Sequence, residues 1–382
     1  MRIRVCLPQV QPDHYDWPTQ CPQAGCGGRH FKAHGEKGEA KAVRDPQVAV
    51  VVAYRWRCLS CGKTFRVYPR GVGREQQSDR LQALSVLLYV LGLSYGGVED
   101  LLAALGMPLA KTTVYANVQA AGMAARQQQR QFLLRGGKRA VIGSDGTYVK
   151  VKGQEVGVQV VVDDRDSALL GLEIIVSENA EEVLSVVRAV AEQVQAEVLV
   201  SDDLDTYKRV ADDLDLQHQI CRSHVKRNVD ALAEELRAQL KAKEPLPAGV
   251  DSSPERLVQD LEQLQELVRA RPSDAEARLA QLYGRYQRAP QPKAGQRHTV
   301  WFRMRMLITR LWERWLRLTL DQRRTDLDGT NNSAERMIGW QIKERYRTMR
   351  GYKRNASVLN VVTLTAHLAG RSGSGDMTPL YT

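Results

Sequence analysis

Between residues 139 and 221 short apolar runs alternate with amphipathic stretches, and this order restricts the possible folds more than any other feature of the chain. Runs rich in β-branched residues at 141–143, 148–151, 156–162 and 169–176 predict strands, with turns at Lys152-Gly153 and at 163–166. Helical spacing over 180–195 follows, then a strand at 197–201, a helix near 207–214 and a strand at 217–221. The expected order is β-β-β-α-β-α-β. In such an α/β arrangement, parallel strands joined by helices bring their C-terminal ends together, and the loops there are natural places for a site.

Two acids occupy such positions. Asp145, in Ile142-Gly143-Ser144-Asp145-Gly146, and Asp202, in Val200-Ser201-Asp202-Asp203, each follow an apolar run and are expected at the end of a buried strand. Asp203 and Asp205 rival Asp202, which is preferred because it comes first after the run, leaving Asp203 to face away. Taken alone, Asp145-Gly146 fits a plain turn equally well. The third acid is Glu335, in Thr330-Asn331-Asn332-Ser333-Ala334-Glu335-Arg336, where Asn332-x-x-Glu335 also fits a capping box at a helix start. Three carboxylates of this kind are hard ligands for Mg²⁺ or Mn²⁺, and a pair of such ions suits in-line phosphoryl displacement. Between the second and third acids stands Cys221-x2-His224. No second pair lies nearby to complete a zinc site, so Cys221 is expected to be a small buried hydrophobe. His224 is expected to approach the reacting phosphate or to play a structural part.

The N-terminal region carries Cys21-x4-Cys26 and Cys58-x2-Cys61, four thiols that can close a tetrahedral structural Zn²⁺ site. Tyr54, Trp56 and Cys58 alternate as in a strand entering the second pair, which predicts a zinc ribbon over 1–75. His30 or His34 remains an alternative ligand, and Cys6 is expected to be an unpaired thiol. Over 76–138 the pattern turns helical. Val98, Leu101 and Leu102 mark a short helix, Gly106-Met107-Pro108 a turn, and Lys111 to Val118 a second helix whose Lys111, Thr112 and Asn117 could read a DNA groove. A plain helical hairpin is the alternative. The α/β core is expected over 139–224 and 328–369, a helical insertion over 225–327 with breaks at Pro245, Pro247, Pro272 and Pro290, and a disordered tail over 370–382.

The 382 residues carry a formal net charge of +11, which favours an anionic partner such as double-stranded DNA. Lys343, Arg345, Arg347 and Arg350 cluster after the third acid and are candidates to hold DNA phosphates. Trp301, Trp312 and Trp315 have core spacing, though an exposed indole could stack on a base. The longest apolar run is too short to cross a bilayer and no signal-peptide pattern opens the chain, so a cytoplasmic location is expected.

With these motifs in place, the sequence resembles DDE transposases of bacterial insertion sequences, with likeness to the Mutator-like group and to zinc-ribbon-bearing relatives. The resemblance spans Cys21 to Ala369. It rests on Ser144-Asp145-Gly146-Thr147-Tyr148, on Ser201-Asp202-Asp203-Leu204-Asp205-Thr206-Tyr207, on Cys221-Arg222-Ser223-His224, and on Asn331 to Glu335 followed by the 343–352 stretch. It implies a ribonuclease-H-like core and a catalytic, metal-binding trio of Asp145, Asp202 and Glu335. It also implies Mg²⁺ or Mn²⁺ as cofactor, binding of terminal repeats and target DNA, strand cleavage and 3′-hydroxyl strand transfer, and a homodimer or larger assembly on DNA. The competing readings are a non-catalytic DNA-binding regulator and a structure-selective nuclease with the same core.

Overall fold

The computed structural model describes residues 5–35, 38–241, 246–349, 351–369 and 375–381. Arg350, a candidate phosphate contact, and Pro245, an expected break, lie outside the described residues. Two compact units emerge: one from Met1–Arg135, Tyr148–Val156 and Met337–Thr382, the other from Gly136–Thr147 and Gly157–Arg336.

In the first unit, β1 (Gln11–Tyr15), β2 (Phe31–Ala33), β3 (Glu39–Ala42), β4 (Val50–Cys58), β5 (Thr64–Val67) and β6 (Pro69–Arg70) form two small sheets. The longest strand, β4, pairs antiparallel with β2, β3 and β5. It buries Val51 and Ala53 while the intervening Val52 stays exposed, so one face of the sheet meets a small core with Val10, Val43 and Val72. Three helices follow: α1 (Asp79–Val90), α2 (Tyr95–Ala104) and α3 (Lys111–Arg135). Ser78 and Ser94 cap the first two, each hydroxyl accepting a backbone N–H of the first turn. The expected short helix at Lys111 is instead a single helix of 25 residues. Its alanine, glutamine and arginine content carries the spiral on past Val118 to Arg135.

The second unit holds most of a mixed sheet, whose 148–156 stretch is counted with the first unit. Its strands are β7 (Val141–Val151), β8 (Gln154–Asp163), β9 (Leu169–Ile175), β10 (Val198–Ser201) and β11 (Gln217–Ile220), in spatial order β11-β10-β7-β8-β9. Helix α4 (Ala180–Val194) connects β9 to β10, and α5 (Asp205–Asp213) connects β10 to β11. The observed order is β-β-β-α-β-α-β, the predicted order when the runs at 141–143 and 148–151 count as one strand, with β10 parallel to both β7 and β11 and β8 antiparallel to β9. One expectation fails: 141–143 and 148–151 are not separate strands, because β7 runs unbroken through Asp145-Gly146. Sheet pairing overrides the local turn preference of that dipeptide.

Helices α6 (Arg222–Leu240), α7 (Pro254–Ala270), α8 (Ala275–Tyr286) and α9 (Val300–Leu318) follow β11 and share a core that includes Leu236, Leu257, Leu264, Leu279, Trp301 and Ile308. Trp301 and Trp315 are buried there, and Trp312 is partly exposed. Inside this core the fully buried Asp260 accepts from Arg285 Nη2 at 2.8 Å and from the Tyr286 hydroxyl at 2.7 Å, so its charge is paired.

The chain then forms α10 (Asn332–Met337), a π-helical turn at Ile338–Lys343, α11 (Glu344–Arg347) and α12 (Asn355–Ala369). In the first unit α12 packs along α3. The two backbones come so close that a side chain at Gly122 would overlap the backbone of Asn360, which only glycine avoids. The disordered tail expected over 370–382 is corrected in part. Residues 370–374 lie outside the described residues, but Cys6 N–H donates to Gly375 O at 2.8 Å, Met377 N–H donates to Cys6 O at 3.0 Å, and Met377 is buried. Among the described residues, no helix is long and apolar enough to cross a membrane.

Candidate active site

The register of the parallel pair β7 and β10 sets the position of the first two acids. Val200 lies opposite Gly143, the last pair on this edge. Two residues further along each strand direction come Asp202, just past the end of β10, and Asp145, still within β7. Asp145 is therefore not at the end of its own strand, as the sequence suggested, but just beyond the point where its parallel neighbour stops.

Supports hold this arrangement from behind. Gln159 on β8 is buried, and its Nε2 lies 2.8 Å from Ser144 Oγ, 3.1 Å from Asp145 O and 3.0 Å from the Tyr207 hydroxyl. Asp202 Oδ1 accepts the Leu204 N–H at 3.1 Å. Its rival Asp203 is buried and pairs with Arg314 and, at 3.0 Å, with Arg310, while Asp205 pairs with Arg314. Those arginines occupy both acidic neighbours of Asp202.

Burial pushes Asp145 up to about 7, against the pull of the Gly146 N–H, and the charge of Asp202 adds to the rise. Asp202 is likewise raised by burial. A third acid, not foreseen from the sequence, joins them: Glu178, in the loop between β9 and α4, is raised by burial and by Asp202. Its carboxyl group fills the space where a side chain on Gly146 would stand. A single glutamate in a polar loop gave no signal by pattern, although Gly146 beside Asp145 was a trace of the close approach. These carboxylates are close enough to raise one another, but their ligand atoms do not all lie within 4.8 Å of one another; carboxylate oxygens are the ligand type of hard cations such as Mg²⁺ or Mn²⁺.

Glu335 sits at the start of α10, and Asn331 is the residue that places it. Asn331 is fully buried; its Nδ2 donates to Ser144 O at 3.0 Å and its backbone N–H donates to Cys221 Sγ at 3.2 Å. One residue thereby ties the glutamate helix to β7 through its side chain and to the end of β11 through its backbone. The capping box expected between Asn332 and Glu335 is not formed, because the helix already includes Asn332. The Glu335 carboxylate turns instead to His224 Nδ1 and Arg227 Nη2, each at 3.3 Å from Oε1. His224 is raised by the neighbouring Cys221 sulfur and, further down, by Glu335, while its own charge lowers both Asp145 and Asp202. Among the described residues, Asp145, Asp202 and Glu335 do not form a set of ligand atoms within 4.8 Å of one another; Cys221, His224 and Glu335 do.

The four cysteines of the first unit form the other such set. Cys21 and Cys61 sulfurs are 3.8 Å apart, as are those of Cys26 and Cys58. Tetrahedral Zn–S bonds of about 2.3 Å require S···S separations of about 3.8 Å, so the cluster fits Zn²⁺. Its turns are tight: Gly62 has φ of 71° and donates its N–H to Cys58 O at 3.0 Å. Neither His30 nor His34 belongs to the cluster.

The candidate DNA contacts divide by exposure. Lys111, Thr112, Lys343 and Arg347 are exposed. Asn117 is not: it is buried and exchanges hydrogen bonds with Gln77 at 3.0 Å while donating to Ser85 Oγ at 3.0 Å. Arg345 is also buried, with its guanidinium 4.0 Å from the Tyr89 ring centre and its Nη2 donating to Leu93 O at 3.2 Å. Helical spacing puts Asn117 on the face that α3 buries and Arg345 on the inner face of α11, so neither reaches a nucleic acid.

A family model described as the IS66 transposase family matches residues 75–348. Among solved structures, the HTLV-2 integrase catalytic core domain in complex with magnesium, in dimeric and trimeric forms, aligns at 15% identity over 34% of this chain and 84% of that chain, with a TM-score of 0.20. No curated protein matches the chain. Because the family model covers more than half of its length, the chain belongs to the IS66 transposase family.

Proposed function

We propose that this chain binds the terminal inverted repeats of its own element and performs metal-dependent strand cleavage and 3′-hydroxyl strand transfer, with Asp145, Asp202 and Glu335 as its catalytic carboxylates. The observation that supports the reading is the β7–β10 register, which ends two residues short of both Asp145 and Asp202, with the charge of Asp202 raising Asp145. Two Mg²⁺ or Mn²⁺ ions held there supply charge neutralisation and activation for in-line displacement at a phosphodiester. The chain's own residues do the rest. Asp145 and Asp202 present oxygen ligands from a rigid sheet, Glu178 adds a carboxylate beside them, and Asn331 fixes the helix that bears Glu335. His224, 3.3 Å from Glu335 Oε1, would exchange a proton with a reacting oxygen, a reading that its contact with Glu335 supports.

The four-cysteine cluster serves as a structural zinc ribbon, and α2, the 105–110 turn and α3 as a helix-turn-helix offering Lys111 and Thr112 to DNA. Lys343 and Arg347 hold phosphates. Helices α6 to α9 act as an insertion in the ribonuclease-H-like core, and the likeness to the Mutator-like group rests on the Cys221-x2-His224 motif. The working form is a cytoplasmic homodimer or larger assembly on two DNA ends.

The test is the purified chain with DNA carrying the sequences that flank its gene, in Mn²⁺ and in Mg²⁺, assayed for cleavage and for joining. Asp145→Asn, Asp202→Asn and Glu335→Gln should each abolish cleavage while end binding persists. Cleavage without joining would favour a nuclease; binding with neither would favour a regulator.

A further inference from the structure

The sulfur beside Glu335 is unused by the DNA chemistry. Cys221 has no exposed surface, so it cannot meet a substrate as a nucleophile. Its sulfur nevertheless accepts the Asn331 N–H at 3.2 Å, a bond that stabilises a thiolate. Three residues on, at the first turn of α6, His224 Nδ1 is buried and makes no hydrogen bond. That nitrogen stands 3.3 Å from Glu335 Oε1. Metal–N and metal–O bonds of about 2.1 Å at a tetrahedral angle put the two ligand atoms about 3.4 Å apart, which matches. Ligand atoms of Cys221, His224 and Glu335 all lie within 4.8 Å of one another.

We propose that Cys221, His224 and Glu335 form a Zn²⁺ site separate from the four-cysteine cluster. One thiolate, one imidazole and one carboxylate with a fourth position left open is the donor set of a borderline-soft ion, whereas Mg²⁺ takes oxygen. The ion would replace the 3.3 Å contact between His224 Nδ1 and Glu335, which meets no hydrogen-bond geometry, with direct bonds to both. Arg227, with its Nη2 3.3 Å from Glu335 and its side chain largely in solvent, swings away as the carboxylate takes the ion. The consequence for catalysis rests on the function proposed above: Glu335 cannot serve both sites fully, so zinc draws it from the magnesium chemistry and inhibits cleavage.

Equilibrium dialysis of the full chain against Zn²⁺ tests the site itself. Wild type should hold two ions, and Cys221→Ala should hold one, with the four-cysteine ion retained. His224→Ala, a second variant that leaves the buried sulfur in place, should also hold one. Co²⁺ added to protein whose four-cysteine cluster is filled with zinc should give a thiolate-to-cobalt charge-transfer band in wild type and none in Cys221→Ala. A single zinc in wild type, or two in both variants, overturns the proposal. In cleavage assays in Mg²⁺, added Zn²⁺ should inhibit wild type and not Cys221→Ala. If no DNA is cleaved in Mg²⁺ or Mn²⁺ while the second zinc still binds, the DNA reading falls and the metal site stands.

Discussion

His218 offers a quantitative test of how the core behind the acids is wired. On β11 its Nε2 is 2.8 Å from Ser201 Oγ, and its Nδ1 is 3.3 Å from Arg317 Nη1. A guanidinium only donates, so Nδ1 must be the acceptor and Nε2 must carry the proton. Ser201 Oγ then accepts from Nε2 and donates onward to Asp202 O at 3.1 Å. A second proton on the ring would face the guanidinium, and burial, followed by the Arg317 charge, lowers His218 from 6.5 to about 3. A histidine depressed in the folded state contributes stability that is present above its unfolded value and is lost as pH falls from about 6.5 towards about 3. The loss is small at pH 7, about 1 kcal/mol at pH 5.5 and several kcal/mol towards the bottom of the window. Between pH 7 and 5.5 the opening equilibrium of β10 and β11 should therefore rise severalfold through this group. Native-state amide exchange of Leu199, Val200, Gln219 and Ile220, corrected for intrinsic rates, reads that change. Asp145, raised to about 7, pushes the other way, since a raised carboxyl gains stability as pH falls. The comparison is thus with His218→Gln, which keeps one donor and one acceptor but cannot be protonated. If His218→Gln shows the same pH dependence as wild type, the assignment of tautomer and burial is wrong.

Three further outcomes are expected. Asp260→Ala should destabilise the α6–α9 core by about 1–3 kcal/mol, because the part-buried Arg285 and the buried Tyr286 hydroxyl both lose their carboxylate partner; no measurable loss in chemical denaturation would contradict the pairing. Cys58→Ser should release the zinc and loosen the N-terminal module, and metal analysis finding no zinc in folded wild type would remove the cluster from the account. Neutralising Lys343 and Arg347 should weaken binding alike on end and random DNA and flatten its salt dependence, whereas changes at Lys111 and Thr112 should lower discrimination between the two. An unchanged specificity ratio in the Lys111 and Thr112 variants would return α2 and α3 to a plain hairpin.

Much of the architecture is legible in the amino-acid sequence, because strand and helix periods are written locally. The strand over Val198–Ser201, the capped helix from Ala180 and the helical stretches after Arg222 stand where apolar spacing puts them. The boundaries that differ do so for tertiary reasons. β7 continues past Gly146 because strands pair with it, and α3 continues past Val118 because its chemistry favours helix and α12 covers it.

Residue types and their order along the chain are enough to mark out the acids, the cysteine pairs and the basic stretches. Which of them face which depends on register and burial, and those are non-local. That Asp145 is level with Asp202 depends on a strand pairing between segments far apart in sequence. Asn117 and Arg345 look like DNA contacts by residue type, yet packing turns both inward. Glu178 beside Gly146, and the sulfur of Cys221 beside His224 and Glu335, arise only when loops from different strands close on one point. A side chain's chemistry is local, but its partner is chosen by the fold.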